Sequence, residues 1–138
     1  MFIDASAIVA ILGREAASEE LEKRLANNEG PFFISPLVMF EAAVALARQK
    51  SANRKPSANL LRHAFEAVAA FAEDIEADEI AISPAIGRSA FDACAACGKA
   101  VGHVADLNFG DCFAYACAKT LKVPLIYKGN DFAHTDLA

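Results

Sequence analysis

Four acidic side chains stand out for the company they keep. Asp4 follows the apolar run Met1-Phe2-Ile3, and Asp131 follows Leu125-Ile126-Tyr127 across the short turn Lys128-Gly129-Asn130. Glu41 and Asp111 each lie about one turn inside a helix-like run, within Leu37 to Ala47 and Phe109 to Ala118. Carboxylates brought into one cleft repel each other and lose hydration. The usual resolution is a hard divalent cation ligated by oxygen. That pattern points to a metal-dependent hydrolase of phosphate esters.

The elements that must position these acids read as alternating strands and helices. Phe2-Ile3 opens as a short buried strand, and Ser6 to Leu12 reads as a helix with Ser6 near its N-cap. Ala16 to Asn27 is amphipathic, with Leu21 and Leu25 on one face. Phe32 to Ile34 is the second strand. Ser35-Pro36 is a helix start, a capping hydroxyl followed by proline at the first helical position, and that helix runs to about Gln49. A polar connection, 51–56, leads to a helix over Ser57 to Ala72. Glu79 to Ile82 is the third strand. Ser83-Pro84 repeats the start signal, and Gly98 is placed to stop that helix. Lys99 to Asp106 reads as a loop. A last helix begins at Asn108 or Phe109 and ends before Val123-Pro124, ahead of the strand Leu125 to Tyr127. This alternation predicts an α/β fold, a central mostly parallel sheet flanked by helices on both faces, in one domain over 1–138.

In such sheets functional groups collect beyond the carboxyl ends of the strands. Asp4 and Asp131 stand there by position. Glu41, in the second turn after a strand, leans back over the same edge. Asp111 sits near a helix N-terminus, where the macrodipole favours negative charge, and Gly110 beside it keeps the approach uncrowded. Ser6 and Asn108 are candidates to orient the carboxylates or a bound water. Each acid taken singly also admits a plainer role. An aspartate after a strand more often caps a helix or closes a turn, and a helical glutamate more often faces water. Glu41 is the hardest to dismiss in that way, because its run is apolar all round.

The chain carries 13 Lys and Arg against 18 Asp and Glu, a formal net charge of −5, which argues against broad non-specific nucleic-acid binding. It does not argue against a nuclease, since acids gathered for a metal inflate the acid count. Five basic residues from Arg48 to Arg62 (Arg48, Lys50, Arg54, Lys55, Arg62) come with no acid among them. Arg14, Arg48, Lys50, Arg54, Lys55 and Lys128 are the candidates to bind a phosphate backbone; the plainer reading is ordinary solvated charge. His103 reads as a loop residue. Four cysteines without a secretion signal make no disulfide framework, and they read as buried structural thiols. The competing reading is a redox pair at Cys94 and Cys97, although such pairs usually open a helix rather than close one. No transmembrane run or secretory leader is visible, and a cytoplasmic location is expected.

Taken together, Ile3-Asp4-Ala5-Ser6-Ala7-Ile8-Val9, Ile34-Ser35-Pro36-Leu37-Val38-Met39-Phe40-Glu41, Leu107-Asn108-Phe109-Gly110-Asp111-Cys112 and Pro124-Leu125-Ile126-Tyr127-Lys128-Gly129-Asn130-Asp131 resemble, in order and over nearly the whole chain, the motifs of PIN-domain ribonucleases, most closely the VapC toxins of toxin–antitoxin modules. The resemblance implies a PIN-like fold and a Mg²⁺ or Mn²⁺ site at Asp4, Glu41, Asp111 and Asp131. It implies endonucleolytic cleavage of RNA, homodimerisation, inhibition by a cognate VapB antitoxin, and contact with operator DNA only through that antitoxin. Asp4 and Asp111 would be the principal ligands. Glu41 and Asp131 would complete the cluster, bind a second ion or orient the nucleophile. Asp106 departs from the motif, standing where a small or neutral residue is expected; a helix cap is its simplest role. A PIN nuclease of RNA processing or acting on another nucleic acid, or a mainly regulatory subunit of a DNA-bound complex, are the alternatives.

Overall fold

The computed structural model describes residues 1–137. Four two-residue strands, β1 (Phe2–Ile3), β2 (Phe33–Ile34), β3 (Asp78–Glu79) and β4 (Leu125–Ile126), form one parallel sheet in the order β3-β2-β1-β4. The helices are α1 (Ala5–Leu12), α2 (Ser18–Ala26), α3 (Pro36–Lys50), α4 (Ala58–Asp74), α5 (Pro84–Cys97) and α6 (Phe109–Leu121), with a 3₁₀ turn at Lys99–Val101. The chain steps from β1 outward to β2 and β3, then returns across to pair β4 with the other side of β1. α1–α4 lie in the connections β1–β2 and β2–β3 and α5–α6 in the return to β4, so the right-handed crossovers usual for parallel strands would set the two groups on opposite faces. The predicted α/β architecture is the one observed.

Phe2, Ile3, Ile34 and Ile126 are at most 1% exposed, and with Ile8, Leu46, Val68 and Leu107 they form the centre of the core. Alanines on α1, α3 and α6 (Ala7, Ala10, Ala42, Ala47, Ala116, Ala118) let those helices lie close to the sheet and to one another. The high alanine content therefore serves packing distance as well as helix propensity.

Capping chemistry sets several helix starts. The hydroxyls of Ser35, Ser57 and Ser83 accept from the N–H groups of Val38 (3.3 Å), Leu60 (3.1 Å) and Ile86 (3.2 Å). Such caps are worth about 1 kcal/mol each. Two expectations are corrected. The cap of α1 is Asp4, not Ser6: its carboxylate accepts from the Ser6 N–H, so the helix begins at Ala5. The third strand is Asp78–Glu79 rather than Glu79 to Ile82, because pairing is set by the two residues of β2; the Ile80 N–H still reaches the Ile34 carbonyl at 2.9 Å. Its two acids are exposed on the sheet edge, where charge discourages pairing with another chain.

Candidate active site: a carboxylate rim at the β1–β4 switch

Strand order reverses between β1 and β4, and the crevice beyond their carboxyl ends is where α/β sheets build sites. Asp4 stands at that point. Its N–H donates to the Ile126 carbonyl at 3.0 Å, which ties it to β4. Its Oδ2 accepts from the Ser6 N–H at 2.9 Å and from the Ser6 hydroxyl. Ser6 Oγ in turn accepts from the Lys128 N–H at 3.0 Å, so one serine joins Asp4 to the segment that carries Asp131. Asp4 is 4% exposed. Burial raises its pKa, the Ser6 donors pull it down, and the Asp131 charge pushes it up again.

Glu41 reaches the same place from α3. The Ser35 cap and Pro36 fix the start of that helix, which puts Glu41 in its second turn. Its carboxylate lies over Gly110: a Cβ on that glycine would fall 2.2 Å from Oε2 and 2.5 Å from Oε1. The Glu41 carboxylate thus occupies the space a Cβ at position 110 would take, and a larger residue there would push it aside. Burial, then the charges of Asp4 and Asp111, push Glu41 up to about 7.

Asp111 is fixed by a capping box at the start of α6. Asn108 Oδ1 accepts from the Asp111 N–H at 3.1 Å, and Asp111 Oδ2 accepts from the Asn108 N–H at 2.8 Å. Asn108 therefore orients the acid through backbone contacts. Burial raises Asp111 to about 6 against that N–H, with Asp4, Asp131 and Asp106 adding repulsion. Asp131 is exposed in the turn after β4, and its charge acts on both Asp4 and Asp111. Asp4, Glu41 and Asp111 thus share one electrostatic site, with Asp131 at its rim.

Among the described residues no three acidic, His or Cys side chains stand ready to grip one ion. Asp4 and Asp111 each commit an oxygen to a local N–H. The donor set nevertheless suits a hard cation. It is all carboxylate oxygen, it carries three acids whose anionic forms the protein disfavours, and Gly110 keeps space open beside Glu41.

The basic candidates lie elsewhere. The Lys128 ammonium is ion-paired with Glu15, which also accepts from Gln49 Nε2 at 2.9 Å. Arg14 and Lys50 line a polar groove with Leu12, Gly13 and Gln49 at the ends of α1 and α3. At the helical rise, Lys50 is roughly 13 Å along α3 from Glu41. Arg48, Arg54 and Lys55 are exposed around that same far end. Asp106 caps nothing: it is exposed with a φ of 51° and lies 3.9 Å from the Lys99 ammonium. His103 Nδ1 accepts from the Ala105 N–H and shapes its loop. All four cysteines are free thiols; burial pushes Cys112 and Cys117 up to about 11. Sequence reasoning missed Glu15 as the partner of Lys128. It also missed Phe40 and Phe109, which are 67% and 70% exposed beside Glu41 and Asp111. The all-round apolar character of both runs was the available signal, since some of those side chains had to face outward.

The family model for the PIN domain matches residues 1–137. The chain belongs to the PIN-domain family. Within it, a VapC ribonuclease of Rhizobium meliloti (strain 1021) is 50% identical, the match covering 99% of this chain and 98% of the relative. Ribonuclease VapC28 of Mycobacterium tuberculosis is 37% identical over 98% of this chain and 93% of its own length. These relatives place the chain among the VapC ribonucleases. Two solved structures share the fold at 17% identity. Mycobacterium tuberculosis VapC20, described as a sarcin–ricin loop cleaving toxin, aligns with a TM-score of 0.71 over 99% of this chain and 97% of its own. A toxin–antitoxin complex from Klebsiella pneumoniae aligns at 0.62, over 98% and 92%. The PIN fold and VapC membership expected from the motifs are thereby established. Among the described residues no helix is long and apolar enough to cross a membrane.

Proposed function

We propose that this chain acts as one PIN domain, a metal-dependent endoribonuclease toxin that hydrolyses RNA phosphodiesters at the β1–β4 rim and is restrained by a cognate VapB-type antitoxin. The observation that carries this reading is the convergence of Asp4, Glu41 and Asp111, from three separate helix starts, on one site where burial and mutual repulsion disfavour all three charges. Helix capping accounts for one oxygen each of Asp4 and Asp111 but not for bringing Glu41 against them, and a bound cation would offset the repulsion among the three.

Asp4 and Asp111 would be the principal ligands of Mg²⁺ or Mn²⁺, with Glu41 and Asp131 completing the set. When bound, such an ion lowers the pKa of a coordinated water and neutralises charge on the phosphate oxygens. The protein's part is orientation. Ser6 fixes Asp4 through two hydrogen bonds to Oδ2. The capping box fixes Asp111. Glu41 Oε1 and Oε2, which lie over Gly110, would hold the nucleophile's proton or a second ion. Arg14 and Lys50, with Arg48, Arg54 and Lys55 nearby, would meet phosphates of the same RNA strand farther from the cut; Lys128 would have to leave Glu15 to join them.

The partner reading rests on surface and charge. Phe40, Phe65, Phe91, Val101, Val104 and Phe109 are exposed, Phe40 and Phe109 of them neighbours in sequence of Glu41 and Asp111, which supports cover by an antitoxin segment or a second copy. A net charge of −5 suits a basic antitoxin tail. Operator DNA would be met only through that antitoxin, in the cytoplasm. The test is cleavage of a defined RNA by wild-type protein and Asp4→Asn or Asp111→Asn. Wild type cuts with Mg²⁺ or Mn²⁺ and stops in EDTA or with antitoxin, while both variants fold and are silent. Cleavage that survives EDTA, or either substitution, refutes the assignment.

A further inference from the structure

The ion pair between Glu15 and Lys128 joins positions 113 apart in the chain, and both of its members are fixed from other directions. Helix α1 ends on Arg14 in the left-handed region, with φ 52°. The Arg14 N–H donates to the Ile11 carbonyl at 3.1 Å and the Glu15 N–H to the Ala10 carbonyl at 2.9 Å, the paired bonds of a Schellman cap. That cap sets the Glu15 backbone, and two donors then hold its carboxylate. Oε1 accepts from Gln49 Nε2 at 2.9 Å, and Oε2 takes the Lys128 ammonium. The Gln49 amide lies across Gly13, where a Cβ would fall 2.2 Å from its Oε1. An exposed ion pair adds little on its own. This acid is only 22% exposed and both of its oxygens are taken, so the place of the ammonium is defined.

Lys128 is held by its backbone as well. Its N–H donates to Ser6 Oγ at 3.0 Å, and the same hydroxyl donates to Asp4. The chain then turns at Gly129, with φ 92°, and reaches Asp131. Beyond Asp131 the turn is anchored by Phe132, which is 1% exposed and sets its ring 4.8 Å from that of Tyr127. Asp131, itself exposed, therefore lies between two anchors, and Glu15 secures one of them.

We propose that Glu15 is a positioning residue of the acidic rim: by holding the Lys128 ammonium it fixes the 128–131 turn, and so sets where Asp131 meets the cation. The inference rests on the metal-dependent reading of that rim. Glu15 touches neither cation nor RNA in this role, and Lys128 keeps its ion pair when the site is loaded.

The test is Mn²⁺ binding by the full chain, read from the loss of the free-ion paramagnetic resonance signal, with no substrate or turnover involved. Charge alone would move Glu15→Gln and Lys128→Met in opposite directions, since losing an anion near the rim weakens cation binding and losing a cation strengthens it. Loss of the clamp moves both the same way. The Kd for Mn²⁺ should rise about 10-fold in each, the low end for groups that orient metal ligands, with the circular dichroism spectrum unchanged. Lys128→Arg, which keeps the pair, stays near wild type. In an Asp131→Asn background Glu15→Gln adds nothing further, because both act on one carboxylate. Opposite shifts in Glu15→Gln and Lys128→Met, no shift in either, or an undiminished Glu15→Gln effect in the Asp131→Asn background would overturn the inference and leave the metal reading standing. Wild type that binds no Mn²⁺ would overturn the metal reading and this inference with it.

Discussion

Replacing Glu41 by glutamine should make the metal-free protein more stable while removing activity. Burial and the charges of Asp4 and Asp111 push Glu41 from 4.5 up to about 7, so at neutral pH the folded state disfavours its anion. A group whose pKa is raised by folding contributes stability that is present below its unfolded value and is lost as pH rises through its folded value. The window for Glu41 therefore runs from about pH 4.5 to about pH 7. The unscreened loss at pH 7 is about 3 kcal/mol. Glu41 is only partly buried and water screens much of this, so about 1–2 kcal/mol is the fair expectation. Glutamine stands in for the protonated acid and recovers that amount. For a chain of 138 residues it corresponds to a Tm gain of roughly 3–7 °C. The assay is thermal unfolding of wild type and Glu41→Gln in EDTA at pH 7 and pH 5. The gain is present at pH 7 and shrinks at pH 5, where wild-type Glu41 is already protonated. Adding Mn²⁺ stabilises wild type more than the variant and narrows the gap, because only an intact site binds the ion well. Equal Tm values in EDTA at pH 7, or a gain of the same size at pH 5, would refute the electrostatic account of the rim.

Gly110→Ala places a methyl group where the Glu41 carboxylate lies, so cleavage should fall by roughly 10²-fold with the circular dichroism spectrum unchanged; near-normal turnover would show that the Glu41 position is not needed. Neutralising Arg48, Lys50, Arg54 and Lys55 together should weaken RNA binding and reduce the slope of log K against log salt by up to about 3, with metal-dependent cleavage of a very short substrate preserved; an unchanged slope removes that end of α3 from the RNA path.

What was legible in the sequence was mostly local chemistry. Ser35-Pro36, Ser57 and Ser83-Pro84 announced helix starts correctly, because a cap is made by atoms three residues apart. The same locality explains the misreading at α1. Asp4 and Ser6 are both capping types two residues apart, and choosing between them needs β4, which holds the Asp4 N–H and fixes where the strand stops. The apolar Ile80 and Ile82 suggest a strand two residues later than the one formed, because an edge strand takes its register from its neighbour. The acids themselves were visible as polar residues in apolar settings. Their meeting was inferable only from the strand–helix alternation, and the Glu41 carboxylate takes the space that Gly110 leaves free. Long-range pairings left no trace: Glu15 and Lys128 are 113 positions apart, and nothing in either neighbourhood names the other. The basic stretch was clear as composition, yet the direction of α3 carries it away from the rim.

The central claim is that Asp4, Glu41, Asp111 and Asp131 together hold a divalent cation. Anomalous diffraction from a crystal soaked in Mn²⁺ tests it most directly. The account predicts a manganese peak beyond the carboxyl ends of β1 and β4, within about 2.0–2.3 Å of oxygens from at least Asp4 and Asp111, and absent from Asp4→Asn crystals. No peak at saturating Mn²⁺, or a peak ligated by residues away from that rim, would contradict it.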